Sequence, residues 1–287
     1  MEEFFSAVKI TDKVYWVGVI DWNIRNFHGY ETSRGSTYNA FLVIDEKITL
    51  IDSVKDGFVG ELLARVRSVI GDETKIDYVV SNHSEPDHSG GLPATIKAVK
   101  PEKVFASPLG KKALTAYYGD LGITEVKTGD SINIGKSNIA FVETKMLHWP
   151  DSMVTYLDTE KILFSQDAFG MHLSGSKLFA DENPPYVVEY EARKYYANIL
   201  NHLSPKVSEL LDALPGLNLD IRMIAPDHGP LWRRPEDIKW ILDIYRDCSQ
   251  QTPKPRAAII YSTMWHSTER LADALEEIGR ASCRERV

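Results

Sequence analysis

The chain has 287 residues, a net charge of −8, and is 43% hydrophobic and 26% charged. That is enough apolar mass for one large domain or a domain and a half. The acidic balance disfavours polyanions such as nucleic acid as partners, no apolar run reaches membrane-spanning length, and Met1-Glu2-Glu3 leads into no signal-type segment, so a cytoplasmic protein with no membrane partner is expected.

Apolar, β-branched runs predict strands over residues 14–19, 38–44 and 48–53, followed by helical spacing over 57–70. Residues 75–81 form the next predicted strand, which empties into Asn82-His83-Ser84-Glu85-Pro86-Asp87-His88-Ser89-Gly90-Gly91. The proline and paired glycines mark a loop before a helix starting near Leu92. The same plan recurs three times: 138–143 ends near His148, 161–165 ends at Asp167, and 221–225 ends near His228. Helices are predicted over 111–118, 189–211 and 235–247.

Residues 1–250 therefore read as one domain, and the polar, proline-bearing stretch 251–255 as a linker. Residues 256–277 spell strand (257–261), hydroxyl-rich loop (262–268) and helix (269–277). A lone strand and helix cannot bury a core, so this second unit is expected to be poorly anchored. Residues 278–287 read as a translated sequencing-adapter fragment, with the natural chain expected to continue past Glu277. Cys248 and Cys283 are too few for a disulfide framework or a thiolate metal site.

His83, Glu85 and Asp87 alternate along an extended loop and His88 follows at once, so side chains from one short segment can converge on one cavity. Alone, the segment would also suit a solvated polar loop. His148 (in Leu147-His148-Trp149-Pro150), Asp167 (in Ser165-Gln166-Asp167) and His228 (in Pro226-Asp227-His228-Gly229) each follow a strand and complete a much more specific pattern.

This joint pattern resembles the metallo-β-lactamase superfamily and, within it, the flavodiiron proteins, over residues 1 to about 250. The resemblance implies an α/β (α+β) fold: an αββα four-layer sandwich of metallo-β-lactamase type, followed by the first strand and helix of a flavodoxin-like domain. Glu85 stands where the zinc hydrolases of the superfamily usually place a second histidine. Four histidines with three carboxylates make a harder, more anionic set that favours iron over zinc. Two Fe(II) ions bring four positive charges, three carboxylates remove three, and one bridging hydroxide would bring neutrality, which an interior tolerates. By resemblance, His83, Glu85 and His148 would hold one iron, Asp87, His88 and His228 the other, with Asp167 bridging; His88 turns away from the metal in some relatives.

The resemblance also implies a pocket tyrosine, Tyr195 or Tyr196, of which at most one can face the site because adjacent helical residues diverge. His28 matches a segment near the substrate pocket, against packing or turn formation. His172 follows Asp167 closely enough to orient it, or is a satisfied core histidine, whereas His202 reads as surface. Trp149 beside His148 would line an electron route, or simply pack. Ser262, Thr263, Met264, Trp265, His266, Ser267 and Thr268 resemble the FMN phosphate loop of the family, although a plain capping sequence looks similar. Without most of its flavin domain the chain would bind FMN weakly or not at all.

The implied activity is reduction of O2 to water, of NO to N2O, or both. Diferrous iron and reduced FMN would together supply the four electrons that O2 requires, and a rubredoxin-like or other cytosolic donor would refill them. A head-to-tail homodimer would bring the flavin of one subunit to the iron of the other. The competing readings are a dinuclear zinc hydrolase such as a thioesterase, and a non-catalytic dimerising or carrier-binding module.

Overall fold

The computed structural model describes residues 5–72 and 75–284, the side chains of 281–284 excepted. Two compact units divide it, one reaching to Gln251 and one beginning at Thr252.

In the first unit, seven strands lie side by side in chain order: β1 (Val8–Lys9), β2 (Val14–Trp16), β3 (Phe41–Val43), β4 (Thr49–Ile51), β5 (Tyr78–Val80), β6 (Lys103–Ala106) and β7 (Ile123–Glu125). Pairing is antiparallel from β1 to β4 and parallel from β4 to β7. A second sheet, again in chain order, holds β8 (Ser131–Asn133), β9 (Asn138–Glu143), β10 (Met153–Leu157), β11 (Ile162–Gln166) and β12 (Met223–Pro226), with only β11 and β12 parallel.

The two-residue period of a strand sorts side chains between layers. Phe41, Val43, Ile51, Val80 and Phe105 face the second sheet, where they meet Phe141, Met153, Ile162, Phe164 and Ala225. Their neighbours Leu42, Leu50, Val79, Val104 and Ala106 point the other way, against Leu62 and Val66 of α1 (Val59–Ile70) and, further along, Leu92 and Leu114. The short α2 (Pro86–Ser89) leads into α3 (Leu92–Val99), and α4 (Pro108–Tyr118) starts where the Ser107 hydroxyl accepts the Gly110 N–H at 3.0 Å. On the far side, α5 (Pro185–Tyr195), α6 (Ser204–Ala213) and α7 (Pro235–Gln250) pack around Val188, Ala192, Val207, Ile241 and Ile244 against Ile224 of β12. The layers thus run helix, sheet, sheet, helix, the predicted αββα sandwich. Each fully buried aliphatic or phenyl side chain contributes about 1.5–3 kcal/mol.

Several predicted elements differ in detail. The run 14–19 is two strands: β2 ends at Trp16, and Val19–Asp21 pairs with Ser36–Tyr38 in a separate ribbon. The break falls at Gly18, where a Cβ would meet Tyr38 O at 2.4 Å, so the chains cross closer than any side chain permits. For the same reason 38–44 splits around Asn39 and Ala40. The predicted helix 189–211 is α5, a π-helical turn (Tyr196–Leu200), a 3-10 turn (Asn201–Leu203) and then α6. Pro205, which lacks an N–H, is accommodated in the first turn of α6 and ends the continuous spiral.

In the second unit, α8 (Ser267–Arg284) is longer than the predicted 269–277 and runs on through 278–284; residues 285–287 lie outside those described. Residues 257–261, predicted as a strand, pair with no other segment among the described residues. Strand propensity cannot satisfy backbone groups without a neighbour.

Candidate metal centre

All four predicted strand ends meet at one rim of the sandwich. The loop after β5 and the start of α2 carry His83, Glu85, Asp87 and His88; the segments after β9, β11 and β12 carry His148, Asp167 and His228. Their donor atoms form two clusters, His83–Glu85–His148–Asp167 and Asp87–His88–His228, each closing within 4.8 Å.

Asp167 lies between them. Its Oδ2 is 3.3 Å from His83 Nε2 and 2.9 Å from His148 Nε2, while its Oδ1 is 3.1 Å from His88 Nε2 and 3.4 Å from His228 Nε2. Glu85 Oε2 completes the first cluster at 3.0 Å from His148 Nε2, and Asp87 Oδ2 the second at 3.2 Å from His88 Nε2 and 3.1 Å from His228 Nε2. Bonds of about 2.0–2.2 Å to a shared metal place neighbouring donors roughly 3 Å apart, which is the spacing seen. Asp87 Oδ1 and Oδ2, Asp167 Oδ2 and His228 Nε2 are buried without a hydrogen-bond partner, a cost that a cation among them would remove.

The electrostatics agree. Burial opposes a charge on His88 and His148, yet the surrounding carboxylates outweigh it and raise them to about 10 and about 9. Burial likewise opposes ionisation of Asp167 and Glu85, but the imidazoles hold Asp167 well below the usual carboxylate range and Glu85 at about 2. Protons thus take the place that metal ions would fill, and binding would displace them. The donor set of four imidazoles and three carboxylates fits two ions of borderline to hard character.

Supporting residues escaped the sequence reading. Asp151 Oδ2 accepts the Ser84 N–H at 2.6 Å and lies 3.3 Å from His83 Nδ1. The Thr37 carbonyl is 2.6 Å from His228 Nδ1. Asp52 accepts both the N–H and the side-chain amide of Asn82 at 2.7 Å, fixing the start of the ligand loop. Asn39 donates to the carbonyls of Pro226 and Gly229 at 2.7 and 2.9 Å, and Gln166 Oε1 accepts the Asp167 N–H at 2.7 Å.

His28 sits at the cleft mouth with Nε2 3.4 Å from Glu85 Oε1 and Nδ1 3.1 Å from His172 Nε2. His172 in turn bonds Ser36 Oγ at 2.8 Å. It therefore supports His28 and Ser36, and Asp167 is positioned by Gln166 instead. Burial is the main cause lowering both His28 and His172, so both are neutral at pH 7. Tyr195 packs on His172 with ring centroids 5.2 Å apart, its buried hydroxyl without a partner, whereas Tyr196 bonds Ser204 Oγ at 3.0 Å in the helical layer. Trp149 meets the His83 ring edge-on at 5.3 Å. His202 is exposed. A cleft of about 550 Å³ lined by Phe27, His28, Lys55, Glu85, Asp87 and Tyr118 opens onto the donors. In the second unit, residues 262–268 lead into α8, with Met264 and Trp265 each 82% exposed and the Thr263 hydroxyl oxygen buried without a partner.

A family model described as ODP family beta lactamase matches residues 37–229. A rubredoxin-oxygen oxidoreductase of Megalodesulfovibrio gigas is 45% identical over 275 residues, covering 95% of this chain and 68% of the relative. A nitric oxide reductase of Moorella thermoacetica is 44% identical, covering 94% and 68%. The solved flavodiiron protein of Giardia intestinalis superposes with a TM-score of 0.87 at 34% identity, over 95% of this chain and 66% of that one. This chain belongs to the flavodiiron proteins. Its sandwich is the metallo-β-lactamase fold, and flavodiiron proteins carry a di-iron centre and FMN. These relatives are oxidoreductases, which favours di-iron redox chemistry over the zinc-hydrolase alternative. This chain spans about two thirds of their length, 68% for the two named oxidoreductases. None of its helices among the described residues is long and apolar enough to cross a membrane.

Proposed function

We propose that this flavodiiron chain reduces O2 to water, NO to N2O, or both, with His83, Glu85 and His148 holding one iron, Asp87, His88 and His228 the other, and Asp167 bridging. The observation that carries this reading is the division of Asp167, one oxygen toward each histidine pair. When bound, the two irons supply electrons and open positions for a diatomic.

The chain's own residues shape the rest. Neutral His28 at the mouth, and Tyr195, whose ring centroid lies 6.3 Å from that of His228 and whose buried hydroxyl has no partner, offer hydrogen bonds to a small polar guest. Trp149, packed on His83, lines the route by which electrons reach the centre. Residues 262–268 hold the FMN phosphate through backbone N–H and hydroxyl groups at the start of α8. The metal domain is residues 1–250 and the flavin unit begins at 256, after the linker. A rubredoxin-like or other cytosolic donor supplies electrons, and a head-to-tail homodimer in the cytoplasm brings one subunit's flavin to the other's iron.

Anaerobic reconstitution with Fe(II), followed by one addition of O2 or NO, tests the reading. One O2 consumed per four Fe(II) oxidised without free peroxide, or one N2O formed per two Fe(II) oxidised, supports it; zinc taken up in preference to iron, with ester hydrolysis, would overturn it.

A further inference from the structure

A histidine that binds a metal through Nε2 carries its hydrogen on Nδ1, and a buried Nδ1–H needs an acceptor that also fixes the ring. His83 and His228 have theirs in Asp151 and the Thr37 carbonyl. His88 Nδ1 is buried with no hydrogen-bond partner, and the acidic atom it faces is Asp227 Oδ2, 3.5 Å away. Asp227 is itself completely buried, and neither of its carboxylate oxygens has a partner. Two orphaned groups of complementary type thus face each other a few tenths of an ångström beyond ordinary hydrogen-bond reach.

Asp227 is not free to drift toward another role. Its N–H donates to Gln166 O at 2.8 Å and its carbonyl accepts the Asn39 N–H at 2.7 Å, so the backbone is pinned on both sides. Asp52, the acidic neighbour, already spends its oxygens on Asn82 and repels a second negative charge. Asp227 directly precedes His228, and the two side chains reach different partners: His228 Nε2 lies 3.1 Å from Asp87, and Asp227 Oδ2 is directed at His88.

We propose that Asp227 is the positioning residue of His88: its carboxylate accepts the Nδ1 hydrogen and keeps Nε2 turned toward Asp87 and Asp167, so that His88 serves as a donor and does not swing out. This rests on the metal-centre reading above. It also gives the buried Asp227 a function that no donor cluster assigns to it, since Asp227 belongs to none of them.

The test is anaerobic titration of the full chain with Fe(II), read by bound iron and by Mössbauer spectra, for the parent chain, Asp227→Ala, Asp227→Asn, His88→Ala and the double alanine variant. Loss of a supporting acceptor weakens metal binding roughly 10- to 100-fold. That loss is expected at one iron only in Asp227→Ala, with the other iron's signal unchanged. His88→Ala should match it, and the double variant should lose no more than either alone. Asp227→Asn keeps an acceptor oxygen without the charge, so a smaller loss at the same iron is expected; it decides the matter if the alanine variant does not fold. Parent affinity at both irons in both Asp227 variants, equal weakening of both irons, or fully additive losses would each overturn the proposal. A parent chain that binds no iron overturns the metal-centre reading along with it.

Discussion

Replacing Glu85 by histidine restores the nitrogen-rich donor set of the zinc hydrolases and isolates what the carboxylate contributes. Glu85 Oε2 lies 3.3 Å from His83 Nε2 and 3.0 Å from His148 Nε2, and its side chain is 14% exposed. A unit charge about 4 Å away across an effective dielectric of about 20 is worth about 4 kcal/mol. Partial exposure reduces this, leaving roughly two powers of ten in preference for Fe(III) over a dication such as Fe(II) or Zn(II). With the carboxylate gone, the donors supply two negative charges instead of three, so the ferric state suffers most. The assay is anaerobic loading of the parent chain and Glu85→His with Fe(II), oxidation of the bound iron to Fe(III) in the presence of competing Zn(II), and metal analysis. The parent is expected to hold iron at both sites, and the variant to shift one site toward zinc. If the variant keeps the parent's iron preference, Glu85 does not select the metal and the charge argument fails.

Other outcomes follow from the same geometry. Tyr195→Phe removes an unpartnered buried hydroxyl, so thermal stability and iron content should hold while gas consumption slows roughly 10-fold, about 1.4 kcal/mol; Tyr196→Phe should cost about 1 kcal/mol of stability through its lost Ser204 bond and leave turnover alone. Asp52→Ala strands two Asn82 donors in a buried site and is expected to cost about 2–4 kcal/mol in denaturant melts; an unchanged midpoint would refute its anchoring role. Because carboxylates raise His88 to about 10 and His148 to about 9 from 6.5, their pairings stabilise the metal-free chain fully below pH 6.5. That contribution is lost as pH rises through 9 to 10. The metal-free chain should therefore melt lower at about pH 10 than at about pH 7, while iron, which must displace those protons, binds more tightly as pH rises. Iron affinity equal at about pH 6 and pH 8 would contradict this.

The donors were legible because each polar residue interrupts the chain directly after an apolar strand, where His, Glu and Asp have no local structural use. That chemistry is carried by residue type and position alone. Their supports were not legible, because each acts across the fold: Asn39 holds carbonyls 187 and 190 positions away, and Asp151 meets Ser84 across 67. In sequence these residues look like ordinary turn polars. The run 14–19 read as one strand because nothing polar divides it, whereas the break at Gly18 is set by the closeness of Tyr38 and Asn39. Pro205 did signal an interruption of 189–211, but the apolar spacing on either side obscured it. Residues 257–261 have strand composition, yet composition supplies only one side of a ladder.

Asp167 offers its two oxygens to opposite histidine pairs from a single rigid carboxylate, anchored through its backbone N–H to Gln166. The fold sets the plane of that carboxylate before any cation arrives, so neither ion bears the entropy loss of ordering it. The second cation then meets an oxygen already in place, while the charge of the first ion repels it. The two effects oppose each other, so one iron can be lost while the other stays, each ion answering to its own histidine pair.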